Sequence, residues 1–465
     1  MKRVLIPIVG QGSIVHIIRT GILDQLKEHI VPVVALLWNE KQLVEELEAQ
    51  GIEVHLFPEY NVSPAYTNHR NKINLWYKKF RIKTPSFKIQ EAYLQQHNRT
   101  GKSRLIKRLR QLYYETRFAV QPGYADTLID REKQLIQTEP AFDTFQQWLK
   151  AINVDGLFTV TPFLPEVDLV ARILKQNNIP VIASIHSFDN VTKRGWQSVV
   201  FDEYIVWNKY NKAELERIHP SLKKKDVITI AGAPQFDFHF NSNFTWSVET
   251  WRRKLNIPAG KKVILYSGGP VSLLPDEPQY LLALKEAYDK GVLPADTVVL
   301  FRCHPLDRVE RWKEYVGESD HIVYDSAPNG KDKLDYVNVK DDDVVKLMST
   351  LKHTAVHINV VSTMAVDGSA FNKPQVGPYY DDVNKASEEL FRGMYYQEHY
   401  RPIMKTKVVN LAHTKQQYLQ LVNDCLKQPS NYTMQCMRCV EEIITYNDGR
   451  SAKRAAAAVI KFFTA

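Results

Sequence analysis

Alternation of apolar runs with amphipathic segments constrains the fold of this sequence more than any other feature. RVLIPIV is followed by SIVHIIRTGILDQLKEH, and VPVVALLW is followed by EKQLVEELEAQ. Continuous Val, Ile and Leu runs are typical of strands buried on both faces of a parallel sheet, and the intervening segments have the periodicity of helices. The chain is therefore predicted to be an α/β protein.

The alternation occurs in two series, which predicts two doubly wound parallel sheets. The first series continues through DGLFTV, IPVIASI and VITIAG, and the second runs through KKVILYSGG, DTVVLFRCHP and TAVHINVV. A polar segment, NSNFTWSVETWRRKLN, separates them. We predict an N-terminal Rossmann-like domain over residues 1–245 and a C-terminal one over 246–445, facing each other across a cleft. The last helix, within 446–465, is expected to pack back onto the N-terminal domain.

A basic segment interrupts the first series. Residues from about 60 to 150 lack the strand rhythm and predict a helical insertion. Between Arg70 and Phe118 there are fourteen Lys and Arg against two Glu, a local excess larger than the net charge of +9 of the 465-residue chain. Such a density predicts contact between residues 70–118 and an anionic membrane surface. A non-catalytic protein that binds nucleic acid through the same block is the alternative.

Cysteine content and hydropathy bear on the compartment. Four cysteines in 465 residues are too few for a disulfide framework, and no apolar run approaches the roughly 18 residues of a membrane span. We therefore expect a cytoplasmic protein, with peripheral contact at the inner face of the cell membrane as an open alternative. Cys436 and Cys439 form a single CxxC pair without a second pair at zinc-site spacing, so no metal site is predicted.

One candidate anion site follows the strand AVHINVV. Ser362 and Thr363 stand where a helix is expected to begin, and Asp367 lies one turn further among small residues. Backbone N–H groups at a helix start, together with a hydroxyl, bind phosphate, and a carboxylate beside small residues can accept hydrogen bonds from a ribose. A capped core helix with a solvent-facing acid fits the same pattern.

Two further motifs end predicted strands of the second series. Gly268 and Gly269 follow KKVILYS, where glycines permit close approach of a ligand to the backbone and successive N–H groups can bind an anion. Arg302 and His304 end DTVVLF, where both can donate hydrogen bonds to phosphate. A simple turn and a structural histidine are the alternatives. Because carboxyl ends of parallel strands share one edge of a sheet, we expect these motifs to converge.

Gly10-Gln11-Gly12 follows the first predicted strand. A dinucleotide-binding fingerprint requires a third glycine at position 15, where this chain has valine, so a nicotinamide or flavin cofactor is not expected there. Gly12 is a candidate acceptor-binding residue. His16 lies one turn beyond it and is a candidate general base.

Two later junctions of the first series also carry candidate polar groups. Glu166 stands where a helix follows the strand DGLFTV. The loop IHSFDNVTKRGW follows the strand IPVIAS and is more polar than a structural turn requires; its candidate residues are His186, Asp189, Asn190 and Lys193. A general base for a sugar hydroxyl should be a carboxylate or an imidazole. Asp189 is the first choice, followed by Glu166 and His16.

Taken together, SFDNVTKRG, VWNKYNKAEL, IAGAPQFD, ILYSGGP, RCHP and VVSTMAVDGSAFNKP resemble bacterial glycosyltransferases of the GT-B fold that build capsules, lipopolysaccharide and related surface glycans. The His-Pro and Ser-Thr pairs are also similar to motifs of the polysialyltransferase and CDP-glycerol transferase groups. The resemblance covers most of the chain except the basic insertion.

The resemblance implies that the second domain binds a nucleotide-activated sugar, which is a substrate, and that no cofactor or metal is needed. By this resemblance Ser362 and Thr363 hold phosphate, and Asp367, where most relatives have glutamate, binds ribose. His304 would contact the phosphate or nucleoside, and the Gly268-Gly269 pair would line the same site. The first domain would bind a glycan or lipid-linked acceptor, with Gly12, His186, Asn190 and Lys193 as candidate contacts.

The predicted activity is transfer of a sugar by direct, inverting displacement in bacterial surface polysaccharide synthesis. A base in the first domain would deprotonate the acceptor hydroxyl, and the helix start at Thr363 together with His304 would stabilise the departing phosphate. Nucleic acid is not an expected partner. The chief rival is a sugar-nucleotide 2-epimerase of the same architecture, although the acid-rich catalytic pattern of that group has no counterpart here.

Overall fold

The computed structural model describes residues 1–97, 101–271, 273–325, 339–385 and 388–464. Side chains of residues 90, 93–97 and 101–104 are not described, so part of the predicted basic block lies outside the described residues. The chain forms two compact units. The first comprises Met1–Lys88, Gln95–Gln235 and Ser451–Ala465, and the second comprises Ile89–Leu94 and Phe236–Arg450.

The first unit contains a parallel sheet of seven strands in the order β3-β2-β1-β4-β5-β6-β7. The strands are β1 Arg3–Ile8, β2 Val31–Leu36, β3 Glu53–Leu56, β4 Gly156–Thr159, β5 Val181–Ser184, β6 Glu203–Val206 and β7 Ile228–Ile230. Five of the six residues of β1 are buried, as are all four of β4 and of β5. The continuous apolar runs in the sequence therefore reflect strands covered on both faces.

Helices of the first unit follow the strands and form the insertion, and helix Pro85–His97 is shared, since its residues Ile89–Leu94 belong to the second unit. The helices are Gln11–Ser13, Ile14–Arg19 (a π-helix), Ile22–Leu26, Lys41–Glu48, Pro64–Trp76, Tyr77–Ile82 (a π-helix), Pro85–His97, Gly101–Val120, Tyr124–Leu135, Ile136–Thr138 (3₁₀), Pro140–Ile152, Pro165–Gln176, Asn190–Lys193, Lys209–Ile218, Pro220–Lys225 and Ser451–Thr464. Helix Pro64–Trp76 begins where proline occupies its first turn and the Ser63 hydroxyl accepts a hydrogen bond from the Tyr66 N–H.

A buried ionic network attaches the helical insertion to the first sheet. The Arg70 guanidinium lies 2.5 Å from the Asp168 carboxylate and 3.6 Å from that of Glu132. Glu132 also accepts a hydrogen bond of 2.6 Å from the Tyr66 hydroxyl and pairs at 2.5 Å with Arg172. Buried charges need such partners because removal from water is costly. The first arginine of the basic block is thus a structural residue.

The second unit contains a parallel sheet of six strands in the order β10-β9-β8-β11-β12-β13. The strands are β8 Lys262–Ser267, β9 Thr297–Arg302, β10 Ile322–Asp325, β11 Val356–Asn359, β12 Gln375–Pro378 and β13 Val409–Ala412. The helices are Pro234–Phe240 (3₁₀), Ser242–Phe244 (3₁₀), Val248–Lys254, Pro278–Asp289, Val309–Val316, Asp341–His353, Met364–Ala370, Glu388–Gly393, Met394–Tyr396 (3₁₀), Arg401–Lys405, Lys415–Lys427, Pro429–Tyr432 (3₁₀), Thr433–Cys439 and Val440–Ile444 (a π-helix).

The predicted α/β class with two parallel sheets is confirmed. The boundary between the units falls after Gln235, ahead of the predicted limit at residue 245, and the second unit extends to Arg450. The last helix, Ser451–Thr464, packs within the first unit against helix Ile22–Leu26 and strands β5 and β6. Within the part of the chain that the structure describes, no helix has the length and apolar character needed to cross a membrane.

Candidate functional site

Three of the predicted motifs lie side by side at one edge of the second sheet. Strand β8 is central, and its last residue, Ser267, is in register with Arg302 on β9 and with Asn359 on β11. All three strands are parallel, so the segments that leave their carboxyl ends are neighbours. The predicted convergence of the glycine pair, the Arg302–His304 segment and the Ser362–Thr363 turn thus agrees with the sheet order.

Arg302 interacts electrostatically with two other candidate residues at this edge. Its positive charge acts on Asp367, which follows β11, and on His304, which follows β9 in the same unit. Burial lowers the pKa of His304, and the Arg302 guanidinium lowers it further. The Arg302 cation therefore lies within electrostatic range of both the His304 imidazole and the Asp367 carboxyl. This combination suits a ligand that carries both phosphate and hydroxyl groups.

Hydrogen bonding determines which nitrogen of His304 carries the proton. The backbone N–H of Leu306 donates to His304 Nδ1 over 2.9 Å. An N–H can only donate, so Nδ1 must be the acceptor and the neutral ring carries its hydrogen on Nε2. The His-Pro segment thereby presents an N–H donor of the kind that binds a phosphate oxygen.

Asp367 is a half-buried carboxyl in helix Met364–Ala370. Burial raises its pKa to about 7, and the opposing effect of Arg302 does not cancel this rise. The neighbouring Gly368 allows the helix to pack closely against Gln375 and His357. A Cβ at this position would lie 2.1 Å from Gln375 Nε2 and 2.4 Å from His357 Nδ1. Polar hydrogens from a ligand would stabilise the ionised form of this carboxyl.

The pKa of Asp367 makes stability depend on pH. A carboxyl whose pKa is raised in the folded state favours folding fully below its unfolded pKa, and this contribution is lost as pH rises through about 7. Asp367→Asn cannot ionise. We therefore expect the Tm of the variant, relative to that of the natural protein, to be higher at about pH 8 than at about pH 5. Thermal melts of both proteins across this range test the assignment, and a constant Tm difference would contradict it.

The glycine pair does not act as predicted. The Gly268 N–H donates to the Arg302 carbonyl over 3.0 Å, and the Gly269 N–H donates to Glu277 Oε2 over 2.8 Å. Neither N–H group is available to an anion, so the predicted anion-binding concavity is absent at these two residues. Glycine at position 269 instead permits close packing, since a Cβ there would lie 2.5 Å from Leu274 Cδ1.

Glu277 is a site-supporting residue that sequence analysis missed. It is 2% exposed, and in addition to Gly269 it contacts the Tyr266 hydroxyl at 3.3 Å. Burial raises the pKa of Glu277 to about 8, and the Gly269 N–H opposes the rise. The residue is therefore largely protonated at neutral pH and holds the glycine turn in place. Its role depends on a turn eight positions away, which no local pattern indicates.

The Ser362–Thr363 turn has an unusual backbone. Val361, directly before it, has a φ of 47°. Left-handed backbone in a β-branched residue is strained, and such strain often accompanies functional turns. Tyr400 stabilises the turn by donating from its hydroxyl to the Ser362 carbonyl over 3.2 Å. Thr363 is exposed and occupies the N-cap position, but its side chain makes no capping bond.

The helix after this turn contributes less than predicted. Met364–Ala370 has seven residues, and its first N–H, that of Met364, already donates to Ser362 Oγ over 3.3 Å. A helix this short has a small macrodipole. Charge stabilisation at this edge must therefore come mainly from the Arg302 and His304 side chains.

In the first unit, His186 is the best-placed candidate base. Its Nδ1 lies 2.8 Å from the Val160 carbonyl oxygen, which can only accept, so Nδ1 carries the hydrogen. Burial lowers the pKa of His186, and the neutral ring therefore has a lone pair on Nε2. A Cβ on Gly12 would lie 2.9 Å from this nitrogen, so glycine at position 12 leaves space beside it. The Asn190 amide nitrogen lies 3.2 Å from Nδ1 and 3.5 Å from Nε2 of the ring, and because Nδ1 carries the hydrogen it can donate only to Nε2.

His16 lies close to His186 but is enclosed. It is 2% exposed, and its Nε2 lies 3.3 Å from Ser184 Oγ. Burial, and to a lesser degree the neighbouring His186, lowers the pKa of His16 to about 3. The ring is neutral and almost fully buried, so His16 is poorly placed to take a proton from a substrate hydroxyl.

The two carboxylate candidates for the general base, Asp189 and Glu166, lie in environments that differ from those of the two histidines. Asp189 accepts a hydrogen bond of 2.5 Å from the Ser187 hydroxyl and pairs at 3.2 Å with Lys193. These contacts order the loop and occupy Lys193, a predicted acceptor contact. Glu166 is half-buried in the first turn of helix Pro165–Gln176. Among the described residues, no hydrogen bond or ion pair joins Glu166 to the other candidates.

No metal centre is found among the described residues, in that no three His, Cys, Asp or Glu side chains are arranged to hold an ion. The acids Asp341–Asp343 open helix Asp341–His353, where Asp343 accepts a hydrogen bond of 3.0 Å from the Lys340 N–H. Cys436 and Cys439 are buried and free. Burial raises the pKa of both thiols, to about 12 and about 11, so neither is a reactive thiolate.

Solved structures with this architecture include three that align over nearly the whole chain. The MnaA–UDP co-structure of S. aureus has a TM-score of 0.56 and 12% identity, covering 100% of this chain and 97% of its own. UDP-GlcNAc 2-epimerase from Neisseria meningitidis bound to UDP-GlcNAc scores 0.54 at 10% identity, with coverages of 99% and 100%. The enzyme from Methanocaldococcus jannaschii scores 0.52 at 10% identity, with 99% of each chain covered. At such low identity the likeness establishes the fold alone.

The two parallel sheets and the family relationship define the class of this protein: it is an enzyme, a GT-B transferase that uses a nucleotide-activated donor. More particularly, residues 183–461 match the family described as CDP-glycerol:poly(glycerophosphate) glycerophosphotransferase, and the chain belongs to that family. No curated protein sequence matches the chain significantly. The predicted resemblance to the CDP-glycerol transferase group of surface-polymer enzymes is thereby confirmed.

Proposed function

We propose that this protein transfers a sugar from a nucleotide-activated donor to a hydroxyl of a glycan or lipid-linked acceptor in bacterial surface polysaccharide synthesis. The reaction is an inverting displacement that requires no metal or cofactor. CDP-glycerol, which the family description names, is the second candidate donor. The observation that carries the proposal is the cluster of Arg302, His304 and Asp367 at adjoining strand ends.

In the proposed donor site each group has a separate task. Arg302 and the Nε2–H of His304 bind the phosphates and stabilise the charge that develops as the nucleotide departs. Ser362 and Thr363 add hydroxyl donors to the same phosphates. Asp367 accepts hydrogen bonds from the ribose, which favours its ionised form. Gly268 and Gly269 support the site indirectly, because their lack of side chains makes room for Trp312 and Leu274.

For the acceptor we propose His186 as the general base in place of Asp189. The His186 Nε2 takes the proton of the acceptor hydroxyl, and the hydroxyl oxygen attacks the donor while the donor's bond to the departing nucleotide breaks. The proposal rests on the hydrogen bond from Nδ1 to Val160, which leaves Nε2 as the acceptor. Asp189 and Lys193 order the loop, and Asn190 and Gly12 shape the space around the ring.

The donor proposal is tested by thermal shift with CMP, CDP, CDP-glycerol, UDP, UDP-GlcNAc and GDP. A ligand present at about 100 times its dissociation constant should add about 2.7 kcal/mol to the free energy of unfolding. We expect stabilisation by one base only, with the diphosphate exceeding the monophosphate. The absence of a shift with every nucleotide would overturn the donor site.

An epimerase is the alternative because the solved epimerases share this fold, whereas the family relationship favours a transferase. Incubation with UDP-GlcNAc and no acceptor separates the two. A new epimer in the NMR spectrum would identify an epimerase. A transferase leaves the donor sugar unchanged and requires an acceptor for turnover.

We also propose that residues 70–118 contact an anionic membrane surface, where a lipid-linked acceptor would be found. Arg70 is excluded from that role, because it is committed to the buried network with Asp168 and Glu132. Exposed cations of the block, such as Arg108 and Arg110, support the proposal. Each basic residue near an anionic leaflet contributes about 1 kcal/mol.

A further inference from the structure

Helix Gly101–Val120 carries an exposed apolar stripe. Leu105, Leu109 and Leu112 are 60%, 58% and 49% exposed, and they recur at the spacing of one helical face. Ile106 and Tyr113 extend the same face and are 70% and 57% exposed. At 3.6 residues per turn the five side chains fall within an arc of about 120°. Such a contiguous apolar surface marks a site of interaction.

The opposite face fixes this helix to the first unit. Phe118 packs with Phe80 and Tyr124, at ring-centroid distances of 5.7 and 5.2 Å. On the same side, Glu115 forms an ion pair with Lys79. The helix is therefore held by one face while the leucine stripe lies on the other. Among the residues that the structure describes, packing within the unit leaves the leucines exposed.

Cations lie along both sides of the stripe. By helical geometry Arg108 lies on one flank, and Arg110 and Arg117 lie on the other. Arg108 and Arg110 are exposed, and Arg117 stacks over the Tyr124 ring at 3.9 Å. An apolar face bordered by arginines matches the boundary between the acyl chains and anionic headgroups of a membrane, since the charged ends can reach the headgroups while the leucines are buried.

We infer that helix Gly101–Val120 lies flat on an anionic membrane with its leucine stripe inserted among the lipids. The inference deepens the proposed membrane contact of residues 70–118 and rests on it. It assigns the inserted part of that contact to one helix, while Arg70 and Lys79 are paired within the protein. Nucleic acid would leave the leucines in water, and a second copy of the helix would bring cationic flanks together.

Vesicle flotation tests the inference on the full-length protein. The variant Leu105→Ser/Leu109→Ser/Leu112→Ser is compared with the natural protein and with Leu56→Ser. Leu56, on β3 of the same unit, is 46% exposed and serves as the matched control. Because all four leucines are exposed, the substitutions should leave the fold intact, and the nucleotide-induced thermal shift verifies this independently.

We expect vesicles of phosphatidylglycerol and phosphatidylcholine to bind the natural protein and Leu56→Ser, and phosphatidylcholine alone to bind both weakly. The triple variant should lose about a thousandfold in partitioning, since each of the three buried leucines contributes about tenfold. Equal binding of the triple variant, with binding abolished by salt, would overturn insertion and leave only electrostatic contact. If the natural protein does not bind the anionic vesicles, both the insertion of the stripe and the electrostatic contact are overturned. A dimer that the triple substitution dissociates would instead identify a second copy as the occupant.

Discussion

Substitution of His186 by glutamine should lower kcat by about 100- to 10,000-fold, the usual contribution of a general base. Glutamine can still donate a hydrogen bond to the Val160 carbonyl, but it has no basic nitrogen to take the acceptor's proton. Donor binding should be unchanged, because His186 belongs to the first unit and the donor groups to the second. Transfer rates with the donor found by thermal shift, together with calorimetric nucleotide affinities, measure the two effects.

The comparison variant is Asp189→Asn, which retains a hydrogen-bond acceptor for Ser187 and loses the ion pair with Lys193. A partly exposed pair contributes up to about 1 kcal/mol, so the rate should fall by at most about fivefold. The pH profile adds a second criterion. If His186 is the general base, its protonation lowers the transfer rate of the natural protein at acidic pH, and this fall should be absent from His186→Gln. Loss of turnover in Asp189→Asn with near-normal rates in His186→Gln would restore Asp189 to that role.

Removal of the Arg302 side chain should weaken nucleotide binding by about 10- to 150-fold, which corresponds to about 1.5–3 kcal/mol for a hydrogen bond to a charged group. Arg302→Ala removes the cation that acts on both His304 and Asp367. The pKa of both groups should consequently rise, because the guanidinium lowers each of them. Calorimetric titration with the nucleotide measures the affinity, and NMR titration of the His304 ring measures the second effect.

Arg253→Ala is the matched control. Arg253 is an exposed arginine of the same unit, on helix Val248–Lys254, which precedes β8. Its removal changes the net charge equally but should leave nucleotide affinity within about twofold. Equal weakening by the two substitutions would reduce the role of Arg302 to general electrostatic attraction and remove the argument for a donor site at this edge.

Local sequence patterns determined much of the architecture. Parallel strands buried on both faces require continuous apolar runs, and the runs KKVILYS and DTVVLF therefore predicted β8 and β9 correctly. The carboxyl ends of parallel strands share an edge, so the positions of Arg302, His304 and Ser362 near one another also followed from sequence. Membership of the CDP-glycerol transferase group was visible in the same motifs.

Tertiary structure alone decided how these residues are used. The Gly269 N–H is taken by Glu277, His186 donates to Val160, and burial sets the pKa of Asp367. In each case the deciding partner or environment belongs to another segment of the chain. Periodicity is a local property that a sequence displays directly. Hydrogen-bond partners, tautomers and desolvation arise from neighbours brought together by folding, and for that reason only the tertiary structure determines them.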